Sequence, residues 1–146
     1  MLARHVAALV ASEARPITLA VAGRPVGKPL PRVRGLGYVH DIESLYRAAD
    51  FTVLGSDYEP FGLVGIESIL CGTPVVFADN VGCLEVIKGD AALRFSRRDD
   101  ASVAAALREA VRRAREGSAR LQTPMAALDY DPDVGRHVEA LMALAK

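Results

Sequence analysis

Glu59 and Glu67 stand eight positions apart in Glu59-Pro60-Phe61-Gly62-Leu63-Val64-Gly65-Ile66-Glu67. Between them an aromatic, a glycine and an apolar run read as the opening of a helix. The first N–H groups of a helix lack internal partners and carry a partial positive charge. Anions and hydroxyl-rich ligands bind well at such a place. The spacing therefore puts two carboxylates around a helix start that can take a polar, anionic ligand.

Glu67 sharpens the point. Leu63, Val64, Ile66, Ile69, Leu70 and Cys71 make this helix apolar nearly all round, so it is expected to be buried. Glu67 lies one turn after Leu63 and one turn before Cys71, on the same face. A carboxylate on such a helix is costly unless paired or hydrogen-bonded. A salt bridge to an arginine, exposure at a helix edge and a ligand role all remain open on the residues alone.

The elements that carry these residues alternate. A helix over Leu2–Ala14 leads to a strand over Ile17–Ala22, a loop over Gly23–Pro31 and a short strand over Arg32–Leu36. Asp41 caps a helix containing Leu45 to Ala49. A strand at Phe51–Leu54 feeds the glutamate loop and a helix over 62–71. Pro74 opens a strand to Ala78, as its missing N–H allows there. Val81–Ile87 reads as a short helix and Ala91–Phe95 as a last strand. Asp99 or Asp100 caps a long helix, Ala101–Glu116, with Val103, Leu107, Ala110, Val111 and Ala114 as its apolar stripe. Gln122–Pro132 is linker-like, and a closing helix runs from about Val134 to Leu144. Strands alternating with helices imply a Rossmann-like three-layer α/β/α domain on a parallel sheet with right-handed crossovers.

The 146 residues are enough for one domain with a proper core. A hydrophobic share of 51% and a charged share of 25% belong to a globular protein, and a formal charge of +0 argues against a nucleic-acid partner. No apolar run approaches a membrane span, and Met1 leads into an amphipathic segment rather than a signal peptide. Cys71 and Cys83 form no disulfide framework, so a reducing, cytoplasmic setting is expected, the inner face of the membrane included. Between Glu13 and Asp41 the only charged side chains are Arg15, Arg24, Lys28, Arg32 and Arg34. They form either a solvated loop or a basic rim for a diphosphate. Arg24 is the best of them, because it follows a strand at the carboxyl end where open α/β sheets bind ligands. Gly35-Leu36-Gly37 lacks a third glycine and is no dinucleotide fingerprint. His5, His40 and His137 share no metal-ligand spacing. Asp79 reads as a turn residue. Glu85 is either a carboxylate favoured by a helix start or part of a sugar site.

Glu59 through Glu67, with Cys71-Gly72-Thr73-Pro74-Val75-Val76 and Asp79-Asn80-Val81-Gly82-Cys83-Leu84-Glu85-Val86-Ile87 after it, resembles the C-terminal domain of retaining glycosyltransferases of the GT-B architecture. The similarity is to the group 1, family 4-like enzymes, which carry a Glu, seven residues, Glu signature. Gly35-Leu36-Gly37-Tyr38-Val39 and Leu45-Tyr46-Arg47-Ala48-Ala49-Asp50 fit the same pattern. The resemblance implies one donor-binding domain over 1–146 and roles for its residues. Glu59 would be the catalytic-site carboxylate on the transferred sugar's hydroxyls, and Glu67 would hold the ribose hydroxyls. Backbone N–H groups at Phe61, Gly62, Leu63 and Val64 would touch sugar and phosphates, and Tyr38 and Val39 would border the base. A carboxylate suits a cis-diol, and a helix start suits the departing diphosphate, so no metal or other cofactor is expected.

The sequence departs from the pattern in three places. Gly55 stands where the family has proline, and Asn80-Val81-Gly82-Cys83 where it has Val-Gly-Gly. The family's domain also opens with a central strand bearing a Gly-Arg and a nearby lysine. Here Met1 leads straight into a helix. The expectation is then a nucleoside diphosphate sugar as donor, with the acceptor glycan or lipid bound by an N-terminal domain outside these residues. Ile17–Ala22 and Phe51–Leu54 would close up and pair directly, or associate as a homo-oligomer through an open sheet edge. Two rivals stand beside this reading. One is a nucleotide-sugar epimerase, disfavoured by the Glu59–Glu67 spacing and Cys71-Gly72-Thr73-Pro74. The other is a non-catalytic or split-gene nucleotide-binding module.

Overall fold

The computed structural model describes residues 5, 6, 8, 9, 12, 16–23, 30–129 and 131–144. Arg24, the favoured cation, lies outside them. Within the expected first helix, His5, Val6, Ala8, Leu9 and Ser12 are helical, and Val6 and Leu9 are buried.

Among the described residues five strands form, all pairing in parallel: β1 (Leu19–Ala22), β2 (Val33–Gly37), β3 (Thr52–Leu54), β4 (Val75–Ala78) and β5 (Ala92–Phe95). The helices whose residues are all described are α1 (Ile42–Ala48), α2 (Leu63–Leu70), α3 (Asp100–Arg115) and α4 (Val134–Leu144). The α/β class and the parallel pairing are those expected from the alternating pattern.

β4 is the centre of the core. Its run Val75-Val76-Phe77-Ala78 is wholly buried between β3 and β5, as a parallel strand covered on both faces requires. Ile66 and Ile69 of α2, Phe95 of β5, and Val103, Ala106, Leu107 and Ala110 of α3 pack around it. The expected caps form. Asp41 Oδ1 accepts from Ser44 N at 3.0 Å, and Asp99 Oδ1 from Ala101 N at 2.9 Å. The hydrogen bonds to Ser44 hold the Asp41 carboxyl below its usual range. Both caps satisfy N–H groups the helix itself cannot.

The strands form two ladders, not one. β1 pairs with β2, and β3–β4–β5 form the second sheet. Direct closure of Ile17–Ala22 onto Phe51–Leu54 is not made. Ile17 and Leu19 already pack against the same core as Phe51, Val53 and Leu54.

One shorter expectation also changes. Val81–Ile87 forms only a 3₁₀ turn, Gly82–Glu85. The described residues of the linker-like Gln122–Pro132 cross the surface and are docked at Leu128. Leu128 is buried and bridges Ile87, with Lys88 N donating to Ala127 O at 2.8 Å and Asp129 N to Val86 O at 2.7 Å. The amphipathic closing helix α4 forms where expected but has no buried residue.

Candidate functional site

The chain leaves the carboxyl end of β3 at Gly55 and reaches α2 through a loop that is tied down at both sides. Asn80 Nδ2 donates to the carbonyls of Ser56 (3.3 Å) and Asp57 (3.2 Å). Arg97, after β5, pairs with the Asp57 carboxylate. Glu59 forms an isolated parallel bridge with Val81. Gly82 N donates to Glu59 O at 3.3 Å, and Cys83 N to Phe61 O at 2.5 Å. The loop after β3 is thus strapped to the loops after β4 and β5, all at strand carboxyl ends.

Three glycines make that closeness possible. A Cβ on Gly82 would stand 2.0 Å from Pro60 O. One on Gly65 would stand 2.5 Å from Cys83 Sγ and 2.9 Å from a Phe77 ring carbon. Gly62 has φ +85°, and a Cβ there would meet Val81 Cγ1 at 2.7 Å and Glu59 Cγ at 3.3 Å. Gly62 is also the residue that caps α2. No side chain caps this helix and no acid stands in its first turn; Gly65 N donates to Gly62 O at 2.8 Å, and Leu63 N and Val64 N stand ahead of it at the helix start.

The stem of Glu59 lies against Gly62. Its carboxylate is near enough to Cys83 to reinforce the effect of burial, which pushes that thiol up to about 11. Glu67 is exposed. The helix is not apolar all round in its setting: Gly65, Ile66, Ser68 and Ile69 are buried, while Leu63 is 60% exposed and Val64 and Leu70 also face outward. The cause is partial cover: β4, α1 and the 3₁₀ turns Gly82–Glu85 and Pro124–Ala127 touch α2 and leave the face of Leu63 and Glu67 outward. Burial therefore does not force Glu67 to find a cation, and among the described residues neither Glu59 nor Glu67 has an ion-pair partner. Of the three readings left open by the residues, the arginine salt bridge falls.

Among the described residues the Glu67 carboxylate has one hydrogen-bond partner. The Tyr46 phenol of α1 donates to its Oε2 at 2.9 Å. Burial, and then this bond to Glu67, push the phenol's pKa well above its ordinary value. Tyr46 was not singled out from the sequence, because a tyrosine on the inner face of a short helix reads as core. The usable signal is that a buried phenol O–H has to find an acceptor. Asp57, Asn80 and Arg97 were also missed as loop ties, since they come from three separate segments.

Tyr38 follows β2 and is 81% exposed, its ring meeting His40 edge-on at 5.0 Å, while Val39 is half-buried. Glu85 is exposed in the first turn of its 3₁₀ helix, and Asp79 sits in a turn. Asp57, Asp79, Asn80, Ser96, Arg97 and Arg98 line an open cleft of about 480 Å³ beside the loop; Glu59 and Glu67 are not part of its wall. Among the described residues no group of three or more His, Cys, Asp or Glu could hold a metal ion, and no helix is long and apolar enough to cross a membrane.

Residues 1–113 match the family described as glycosyl transferases group 1. A probable transglycosylase of Burkholderia thailandensis is 52% identical over 132 residues, covering 88% of this chain and 36% of the relative. Among solved structures, the Anabaena protein HepE in complex with UDP and glucose superposes with a TM-score of 0.61 at 25% identity, covering 77% of this chain and 32% of that one. Sucrose-phosphate synthase from Thermosynechococcus elongatus superposes with a TM-score of 0.58 at 30% identity, with 77% and 31% covered. The α/β fold with its parallel sheets thus matches about a third of the length of GT-B glycosyltransferase chains. The chain belongs to the group 1 glycosyl transferases, and it spans about a third of the length of the Burkholderia relative.

Proposed function

We propose that this chain is the nucleotide-sugar donor-binding domain of a retaining glycosyltransferase, moving a hexose to an acceptor hydroxyl. The observation that carries this is the pair of carboxylates, without ion-pair partners among the described residues, around the glycine-led start of α2 in a group 1 family member. Glu59 takes hydroxyls of the transferred sugar. Glu67 takes the ribose hydroxyls. N–H groups from Phe61 to Val64 face the diphosphate, whose growing negative charge on departure a helix start stabilises. Tyr38 and Val39 border the base, and Arg24 serves the phosphates. The acceptor, a glycan or lipid, is held by residues beyond these 146. Residues 1–146 act as one domain.

A calorimetric titration with uridine, guanosine and adenosine diphosphates and their sugars tests this. UDP bound to HepE makes uridine the first base to try. The 146-residue chain is expected to bind one of these diphosphates weakly and to transfer no sugar. Transfer above a Glu59→Ala control would show that the acceptor site is already here. Glu67→Gln is expected to keep the fold and lose about 1.5–3 kcal/mol of binding, roughly a ten- to hundredfold rise in Kd. Unchanged affinity with a lowered melting temperature would make Glu67 a structural residue instead.

A further inference from the structure

We infer that Tyr46 is a positioning residue that fixes the Glu67 carboxylate and thereby sets the preference for a ribose with both hydroxyls. The inference rests on the proposed role of Glu67. Tyr46 is only 6% exposed, yet its phenol reaches the one exposed carboxylate of α2 at 2.9 Å. The bond occupies Oε2 and leaves Oε1 as the oxygen free to face a ligand.

Tyr46 is itself held from below. Thr73 Oγ1 donates to the Tyr46 carbonyl at 2.6 Å and accepts from Arg120 Nη1 at 2.8 Å. The Ser68 hydroxyl donates to Thr73 O at 2.8 Å and shares a further hydrogen bond with the Thr52 hydroxyl at 2.7 Å. Ser68 and Thr73 are fully buried. These bonds tie α1, the start of β3, the end of α2 and the segment before β4 into one connected polar network, every buried side-chain group of which has a partner. Through its phenol, Tyr46 links that network to the exposed Glu67 carboxylate.

A glutamate side chain in water samples several rotamers, and a diol spanning two hydroxyls gains most from a carboxylate already aimed at it. Fixing one oxygen by an inward hydrogen bond does this without a second charge at the site. An arginine in the same place would compete with the ligand for the carboxylate; a phenol donates once and leaves the other oxygen unpaired.

The test compares uridine, guanosine and adenosine diphosphates with their 2′,3′-dideoxy forms, on the full chain and on Tyr46→Phe. The ring of phenylalanine keeps the packing and removes only the hydroxyl. Wild-type chain is expected to favour the ribose form at least tenfold. Tyr46→Phe is expected to shrink that ratio by roughly fivefold while its Kd for the dideoxy form stays unchanged. In a Glu67→Gln background the Tyr46→Phe change should add nothing to the ratio. If Tyr46→Phe weakens both forms equally, the phenol serves the fold alone and the inference is wrong, while the role of Glu67 stands. If the wild type itself does not separate the two forms, or binds neither, Glu67 does not hold the ribose and both readings are overturned.

Discussion

Gly82→Ala is expected to lower the melting temperature by roughly 10 °C and to abolish nucleotide binding. The added Cβ would sit 2.0 Å from Pro60 O, and that neighbour is backbone that cannot rotate away. Gly82 has no left-handed φ, so the demand is for space rather than for conformation. Either the turn at 82 or the loop at 59–62 has to move. Overpacking of this kind costs about 3 kcal/mol at the upper end of its range, about 10 °C for a domain of this size. Moving the loop also breaks the Gly82 N to Glu59 O and Cys83 N to Phe61 O hydrogen bonds, so Glu59 and the start of α2 lose their mutual placement. Scanning calorimetry and titration on one sample check both halves. A variant that melts and binds like the parent would mean that the loop is not clamped.

Hydrogen exchange is expected to separate the two ladders by roughly hundredfold or more. β4 is buried along its whole length and paired on both sides, and such central strands open only near global unfolding. β1 and β2 form a two-stranded unit, which is marginal by itself. Val76 and Phe77 should therefore be the slowest amides, and Ala20 and Val21 far faster. Successive N–H groups of a strand point to opposite sides. Leu19 N bonds Arg32 O and Thr52 N bonds Pro74 O, so Ala20 and Val53 present their amides on the sides of β1 and β3 away from those partners. Unpaired edges of this kind promote association. Light scattering is expected to show mass rising with concentration, with Ala20 and Val53 gaining protection together. A monodisperse monomer at every concentration, with Val53 unprotected throughout, would remove these edges as the contact.

The parts of this architecture legible in the sequence are those decided locally. Asp41 and Asp99 cap helices because a short carboxylate at that offset meets an N–H whatever lies beyond. Val75–Ala78 reads as a buried strand because four apolar residues between a proline and an aspartate leave little else. The glutamate loop was visible through its spacing and the glycine at the helix start. What was hidden depends on neighbours distant in sequence. The composition of α2 predicts burial all round, yet its neighbours in the fold cover only part of it, and Leu63 and Glu67 stay outside. Tyr46 looks like core until Glu67, twenty-one positions later, turns out to receive its hydrogen bond. Gly65 and Gly82 look like ordinary punctuation; only the approach of Cys83 and Pro60 shows why no side chain fits.

The closing helix α4 carries a different consequence. It has eleven residues and no buried side chain, with Val134, Val138, Leu141, Met142 and Leu144 all exposed. Its start is held by Asp133, whose Oδ1 accepts from Gly135 N at 2.8 Å. Helices shorter than about 12–15 residues stand near the midpoint of their own helix–coil equilibrium, because the nucleating turn fixes several dihedrals for a single hydrogen bond. With no buried side chain, α4 gains little from packing, so its helical population follows mainly its own helix–coil equilibrium. The far-ultraviolet dichroism from those residues becomes a gauge: it rises when any surface covers the apolar stripe and falls with warming well before the core melts.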